Sequence, residues 1–591
     1  MNNIKFLDLN AQYLSIKSEI DEAIANVIAK SAFIGGKFVE AFEREFAEFI
    51  GVKYALGVAN GTDALEITLE ALELPIGSEV LVPANSFAAT AEAVVRNNLK
   101  VVFVDCDESY TIDIDDLRAK ITPQTRAILP VHLYGQSANI DAVMALANEF
   151  HLHVIEDCAQ AHGTSFNGRK VGGFGLAGCF SFYPGKNLGA YGDGGMIVSN
   201  DEKFITKCRE IARHGALKKY HHLKVGRNSR LDALQAAILS VKLRHLNSWI
   251  KKRQKLAGIY LHELSNITGI ALPQVRELHE CVWHLFVLRV TDNAENLANY
   301  LKKRGIESGY HYPIALPKLE AFNGNPHVKA DKTPNACNWD SHLISLPMGE
   351  HLSVEQVEYV IEGIKSWSKE AQAWFNKLSE KIETYREKLI AEARELHIID
   401  YGAGDPNTPR SKELMQQGIT VVSDTSKMAK IGIKGENLAY FLEVVREAQP
   451  KHILELGTCC GFSSAYLSHA APNAKIYTIE GAPRVAEIAQ ETRRNLGVNN
   501  VVQKVGRFSD VLPELLPQIA PLDFVFIDGH HDRDATIGYF HQILPFMNER
   551  GIMVFDDITW SEGMKEAWAQ ILAFGAHKRE SSDGKIGVLW L

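Results

Sequence analysis

At 591 residues the chain is too long for one hydrophobic core and implies at least two large domains. Its 46% hydrophobic and 23% charged residues are those of a soluble globular protein, and a net charge of -9 leaves no basic footprint for nucleic acid or an anionic membrane. The opening Met-Asn-Asn-Ile-Lys-Phe lacks the apolar segment of a signal peptide, and no run approaches the roughly 20 apolar residues of a membrane span, so a cytoplasmic protein is expected. The eight cysteines include no Cys-x-x-Cys pair, and adjacent Cys459 and Cys460 are poor partners for each other. Neither structural disulfides nor a zinc site are expected.

The first third alternates helix and strand patterns, as a parallel sheet requires. Gly57–Glu66 passes from a strand end through Asn60-Gly61-Thr62 into an amphipathic helix. A helix start of this kind offers free N–H groups and a positive dipole end to a phosphate; a plain N-cap reads the same way. Val80–Thr90 is a buried strand followed by a turn into a helix, with Phe87 either in the core or available to a ring. His153–Gly163 is an apolar strand ending in Glu156 and Asp157, with Gln160 and His162 just beyond.

Cys179–Ser199 then places Lys186 in a glycine-rich turn between two strand-like runs. An amine held rigidly and partly out of water can form a Schiff base with an aldehyde cofactor, and Ser181 supplies a hydroxyl of the kind that binds phosphate. By itself such a turn is equally that of a solvated lysine. Gly226–Leu239, which includes Asn228, opens a long helix with an Ala/Leu-rich face. From about Ala271 to Met348 a smaller domain follows, with a strand over Trp283–Val290 and the tripeptide His311-Tyr312-Pro313. Ser345–Gly349 leads into a helix from Ser353 to Trp367.

Ser181-Phe-Tyr-Pro-Gly-Lys-Asn-Leu-Gly-Ala-Tyr-Gly-Asp-Gly-Gly195 resembles the lysine segment of the DegT family of nucleotide-sugar aminotransferases, and the resemblance runs from about Phe6 to about Ser366. It implies the type I fold of pyridoxal-phosphate enzymes: a large domain over about 1–250 with a parallel or mixed sheet, and a small α+β domain over about 251–370. Lys186 would carry pyridoxal 5'-phosphate and act as general acid and base. Asp157 would protonate the ring nitrogen, Gln160 would stand beside the ring hydroxyl and Phe87 against the ring face. Gly61, Thr62 and Ser181 would hold the phosphate, together with Asn228 of a neighbouring subunit in a homodimer. His311 and Tyr312 would lie on the substrate side. The substrates implied are L-glutamate and a nucleoside-diphosphate keto sugar, with the lysine segment most like members that make 3-amino sugars. Dehydratases among similar proteins replace the lysine with histidine, against which Lys186 stands; a cofactor-binding regulatory protein is the other alternative.

Ser366–Leu396 is charged, helical in pattern and poor in glycine and proline, so a helical connector is expected at the start of a second domain, 371–591. Lys451–Ser464 reads as a strand ending in Glu455, then a turn with Gly457 and Gly461 opening a helix. Ile476–Glu480 ends in an acid suited to ribose hydroxyls, and Leu522–His531 and Gly551–Asp557 add two strands ending in carboxylates. This succession resembles the Rossmann-like class I S-adenosylmethionine methyltransferases, and its last two segments resemble the catechol O-methyltransferase branch. The resemblance implies S-adenosyl-L-methionine at Glu455, Gly457, Gly461, Glu480 and Asp528. Asp528, Asp556 and Asp557 match the branch's metal positions, which would suit magnesium. The family more often has asparagine at Asp557, and Asp556-Asp557 equally reads as a helix cap. His531 falls near the branch's basic residue, where lysine is usual; the tandem His530-His531 also fits metal ligands or loop residues. Methylation would fall on an oxygen or amine of a related sugar, and a degenerate interaction module is the alternative.

Overall fold

The computed structural model describes residues 3–591 except 219, 292–293, 330, 401–418, 431–432, 530 and 576. Two compact units divide the chain, Met1–Lys369 and Glu370–Leu591.

In the first unit, eight strands run in the spatial order Tyr54–Val58, Gly195–Ser199, Ala177–Ser181, His153–Asp157, Thr125–Ile128, Glu79–Pro83, Lys100–Val104 and Val328–Lys329. The six from Ala177–Ser181 to Val328–Lys329 are parallel, and Gly195–Ser199 lies antiparallel to both its neighbours. Runs such as Val80-Leu-Val and Val101-Val-Phe-Val are apolar on both faces because helices cover both sides of the sheet. A 32-residue helix, Ala233–Leu264, leads to a small antiparallel sheet of Ile270–Ala271, Phe286–Val290 and Leu343–Leu346. Leu288 and Ile344 of that sheet join Val357, Val360 and Ile364 in its core.

Two helices differ from the reading of the sequence. The long helix begins at Ala233 and not near Gly226, because the intervening backbone is engaged elsewhere: Asn228 bridges to Arg213 and Asp232 to Ile34. The helix expected over Ser353–Trp367 is Val354–Glu392, continuing through the connector sequence.

The second unit carries a seven-stranded sheet in the order Val501–Val505, Lys475–Glu480, His452–Leu456, Leu522–Ile527, Met547–Phe555, Gly587–Trp590 and His577–Glu580. The first five strands are parallel, and Gly587–Trp590 lies antiparallel to both its neighbours. Helices Phe462–Ala470 and Pro483–Leu496 link the parallel strands. The eight cysteines are free, and no described helix is long and apolar enough to cross a membrane.

Candidate active sites

The first site forms where several strands of the large sheet end. Asn60 caps the helix Gly61–Ala71 by accepting from the Asp63 N–H at 2.8 Å, which leaves the Gly61 and Thr62 end of that helix partly open. A Cβ on Gly61 would stand 2.6 Å from Cβ of Ser181, so only glycine lets the helix end approach the serine this closely. Hydroxyl, helix end and open space together make a cradle for a small oxyanion.

Lys186 follows within five residues of Ser181. Its N–H donates to the Tyr183 carbonyl at 2.9 Å, and Ala190 N–H returns to the Phe182 carbonyl at 2.8 Å, closing the turn. Burial pushes the Lys186 ammonium down to about 8, while the charge of Asp157 pulls the other way. Asp157 is buried; it accepts from Thr90 Oγ1 at 2.9 Å and from the Ala159 N–H at 3.1 Å. Burial raises its carboxyl above the usual aspartate value against those donors and the charge of Lys186.

Phe87 is 58% exposed at the start of helix Ala88–Arg96, with its ring 5.8 Å from that of Tyr312. Gln160 donates to the Tyr312 hydroxyl at 2.8 Å and accepts from the Tyr134 N–H at 2.8 Å. His311 Nδ1 lies 2.8 Å from Ser345 Oγ, its ring stacks on Phe6 at 5.8 Å, and its carbonyl accepts from the Tyr134 hydroxyl. Burial and the charge of Lys186 push His311 down to about 4, so its imidazole is neutral.

Asn228 is exposed, on the rim of a cleft of about 480 Å³ lined also by Asp63, Glu66, Arg96 and Arg227. Arg227 is pinned by Glu66 and Glu70, and Ser229 Oγ accepts from the Ala59 N–H at 3.0 Å, so Asn228 is displayed between two anchored neighbours.

Sequence reading gave Glu156 and His162 no chemistry, and for Glu156 the structure shows a supporting role with His132. Glu156 accepts from His132 Nε2 and from the N–H groups of Gly172, Phe174 and Gly175. His132 Nδ1 takes the Ala138 N–H, so the proton sits on Nε2. With Cys158 these two form a group of three possible ligand atoms within 4.8 Å. The carboxylate of Glu156 and both ring nitrogens of His132 are already committed to these hydrogen bonds, which makes the pair a support for the Asp157 strand. Thr90 and Tyr134 escaped notice in the sequence because their partners lie 67 and 26 residues away.

An amine partly withdrawn from water, a buried carboxylate, a half-exposed aromatic ring and an oxyanion cradle fit a phosphorylated aromatic aldehyde. That donor set can hold such a group and move a proton beside it.

The second site lies at the ends of the parallel strands of the C-terminal unit. Gly457 has φ +97, and a Cβ there would overlap the Asp528 carbonyl oxygen. Gly461, at φ +80, caps helix Phe462–Ala470. Glu480 accepts from the Cys459 N–H at 2.8 Å and the Ala482 N–H at 3.0 Å, and burial raises its carboxyl. Glu455 is fully buried and accepts from Ser464, supporting the turn from beneath. Asp528, Asp556 and Asp557 face one another. Burial and mutual repulsion raise Asp528 well above the usual value and push Asp556 up to about 7. His531 Nε2 is 4.0 Å from a carboxylate oxygen of both Asp528 and Asp557, and its ring is 6.2 Å from that of half-exposed Trp560. Among the described residues the three aspartates do not form a group with ligand atoms all within 4.8 Å of one another. His530 lies outside the described residues.

The sheet order and the lysine site of the first unit define an aminotransferase of the type I fold. The family model for the DegT/DnrJ/EryC1/StrS aminotransferases matches residues 14–365, and the chain belongs to that family. A methyltransferase domain model matches 454–558, so the chain is a fusion of an aminotransferase with a methyltransferase domain. The dTDP-3-amino-3,4,6-trideoxy-alpha-D-glucose transaminase of Streptomyces venezuelae is 40% identical over 62% of this chain and 96% of its own length. The UDP-2-acetamido-2-deoxy-3-oxo-D-glucuronate aminotransferase of Pseudomonas aeruginosa is 41% identical over 60% and 98%. Among solved structures, S. venezuelae DesV in complex with a ketimine intermediate is similar at TM-score 0.61 and 39% identity, over 62% of this chain and 99% of that one. NtdA of Bacillus subtilis with bound cofactor PMP is similar at 0.58 and 30%, over 62% and 86%.

Proposed function

We propose that the N-terminal unit, over about 1–370, moves an amino group from L-glutamate to the keto carbon of a nucleoside-diphosphate sugar, giving a 3-amino sugar, with pyridoxal 5'-phosphate bound at Lys186. The observation that carries this reading is the convergence of half-buried Lys186, buried Asp157 and the Gly61–Ser181 cradle at one sheet edge. The sugar and its 3-keto form come from relatives whose names specify 3-amino and 3-oxo sugars.

When bound, the cofactor supplies an electron sink for the pair released as a C–H bond breaks. Everything else falls to the chain. Gly61, Thr62 and Ser181 hold the phosphate at the helix end, and Phe87 packs on the ring face. Asp157, kept charged by Thr90, the Ala159 N–H and Lys186, holds a proton on the ring nitrogen. Gln160 orients the ring hydroxyl while fixed by Tyr134 and Tyr312. Lys186 Nζ takes the proton from the donor carbon and returns it, and its lowered affinity for protons suits both directions near neutral pH. His311 and Tyr312 line the substrate side, with His311 neutral. Exposed Asn228 completes the phosphate site of a second subunit in a homodimer. Phe33, Ile34, Tyr183, Leu223 and Val225 are exposed apolar side chains of the same unit, of the kind a partner subunit would cover.

The C-terminal unit, over about 371–591, takes S-adenosylmethionine at Gly457, Gly461 and Glu480 above Glu455, near Asp528, and transfers its methyl group to an oxygen or amine of a related sugar. His531, between Asp528 and Asp557, is the candidate base.

The test is to incubate the full chain with L-glutamate and a panel of dTDP- and UDP-keto sugars, then add S-adenosylmethionine, reading masses at each stage. An amino sugar followed by a gain of one methyl group supports both halves. Amination without methylation on any sugar of the panel overturns the methyltransferase half.

A further inference from the structure

Asn187, the residue after Lys186, is buried and held at two points. Its Nδ2 donates to the Val282 carbonyl at 3.1 Å, and its Oδ1 lies 3.0 Å from Nδ1 of His284. The roles follow from the chemistry: a carbonyl takes only a donor, so the amide nitrogen faces Val282. The remaining amide oxygen only accepts, so His284 carries its proton on Nδ1.

The segment that presents His284 is itself clamped. Val282 N–H donates to the Gly135 carbonyl at 2.9 Å. Gly135 has φ +98, and a Cβ there would stand 2.6 Å from the His284 nitrogen and 2.7 Å from that of Trp283. Buried Arg253 donates to the carbonyls of Trp283, His284 and Met348 and pairs with Glu350 at 3.0 Å. His284 therefore stands on a backbone that cannot slide, and Asn187 connects it to the lysine turn.

We infer that His284 is a positioning residue for Lys186, acting through the Asn187 amide to keep the lysine turned inward in the reaction proposed above. The charged group acting on Lys186 is the Asp157 carboxylate, and the lysine charge in turn bears on the imidazoles of His162, His284 and His311. Burial and the lysine charge hold all three imidazoles neutral, so none competes with Asp157 as a counter-charge. Orientation of the Lys186 side chain then rests on the turn. Releasing Asn187 lets the amine swing toward water, where it binds its proton more tightly.

The test is competitive acetylation of the full-length chain with no cofactor added, reading by peptide mass spectrometry the pH at which Lys186 reacts half-maximally. His284→Leu should raise that midpoint by about one pH unit or more toward the ordinary lysine value. His284→Asn keeps a donor at the Nδ1 place and should stay close to the parent. Asn187→Ala should shift like His284→Leu, and the double variant no further. An unmoved midpoint in His284→Leu, or equal shifts in the leucine and asparagine variants, would overturn the assignment. If His284→Leu does not fold, Asn187→Ala decides by the same criterion. Because no cofactor takes part, the result stands apart from the aminotransferase reading, which fails separately if added pyridoxal phosphate gives the parent no visible absorption band.

Discussion

Gly61 and Ser181 approach so closely that one added methyl group, at Cβ of residue 61, would stand 2.6 Å from the serine Cβ. The contact joins the start of helix Gly61–Ala71 to the end of strand Ala177–Ser181, the two elements that bring the cradle and the lysine turn together. Gly61→Ala must push one of them back. Overpacking of this kind costs about 1–3 kcal/mol, and where that cost falls on the bound form, affinity for pyridoxal phosphate drops about 10-fold or more. A fluorescence titration of the stripped protein measures it, and unchanged affinity would remove the cradle from the phosphate site.

Asp157→Asn keeps the shape and removes the charge. The Asp157 charge favours the protonated Lys186, so its loss should lower the lysine below its present value of about 8. The Asp157 strand should stay in place, since Glu156 and His132 hold it independently. Amination should fall by about 10²–10³-fold, the scale seen when a preorganised electrostatic partner is removed. Steady-state kinetics and the acetylation midpoint of Lys186 test both parts.

Lys242 is fully buried, donates to the Gly189 carbonyl at 2.7 Å and lies over the Tyr191 ring at 4.3 Å. Burial pushes its ammonium down to about 8. The unfolded chain holds that proton up to the ordinary lysine value, so between the two it binds more protons than the native state. The lysine's unfavourable contribution is therefore full below pH 8 and fades as pH rises through that window. Lys242→Met should gain on the parent at pH 7 and lose that gain by pH 10, a swing on the order of 2–3 kcal/mol. Urea unfolding of both proteins at the two pH values reads it; a pH-independent difference would contradict it.

In the C-terminal unit, a Cβ on Gly457 would overlap the Asp528 carbonyl oxygen, and φ +97 disfavours any other residue. Gly457→Ala should abolish S-adenosylmethionine binding in calorimetry. Glu480→Gln should weaken it about 10-fold by loss of a charge-assisted hydrogen bond. Neither should change the visible absorption of the aminotransferase half.

What the sequence disclosed depended on how local each signal was. The Asn60-Gly61-Thr62 helix start, the His153–Asp157 strand and the Lys186 turn each sit within about ten residues, and they stand where their patterns indicated. The long helix begins only at Ala233 because isolated bridges from Asn228 to Arg213 and from Asp232 to Ile34 hold residues that helical periodicity alone would have included. Connections such as Glu156–His132, Arg253–Glu350 and Asn187–His284 span 24, 97 and 97 residues, and no periodicity or spacing announces them. In the second unit the strand-end carboxylates were legible, but the mutual repulsion that raises Asp528 and Asp556 depends on how the folded loops bring them together.

In the proposed reaction Lys186 would hold pyridoxal phosphate through its Nζ until an amino-acid donor takes its place. Absorbance spectra of the full-length protein with added cofactor, before and after L-glutamate, beside those of Lys186→Ala, test it most directly. The account predicts a visible band in the parent that glutamate shifts to shorter wavelength, and no such band of covalent attachment in Lys186→Ala. A parent that shows no band with cofactor present, or a band that Lys186→Ala reproduces unchanged, would contradict it.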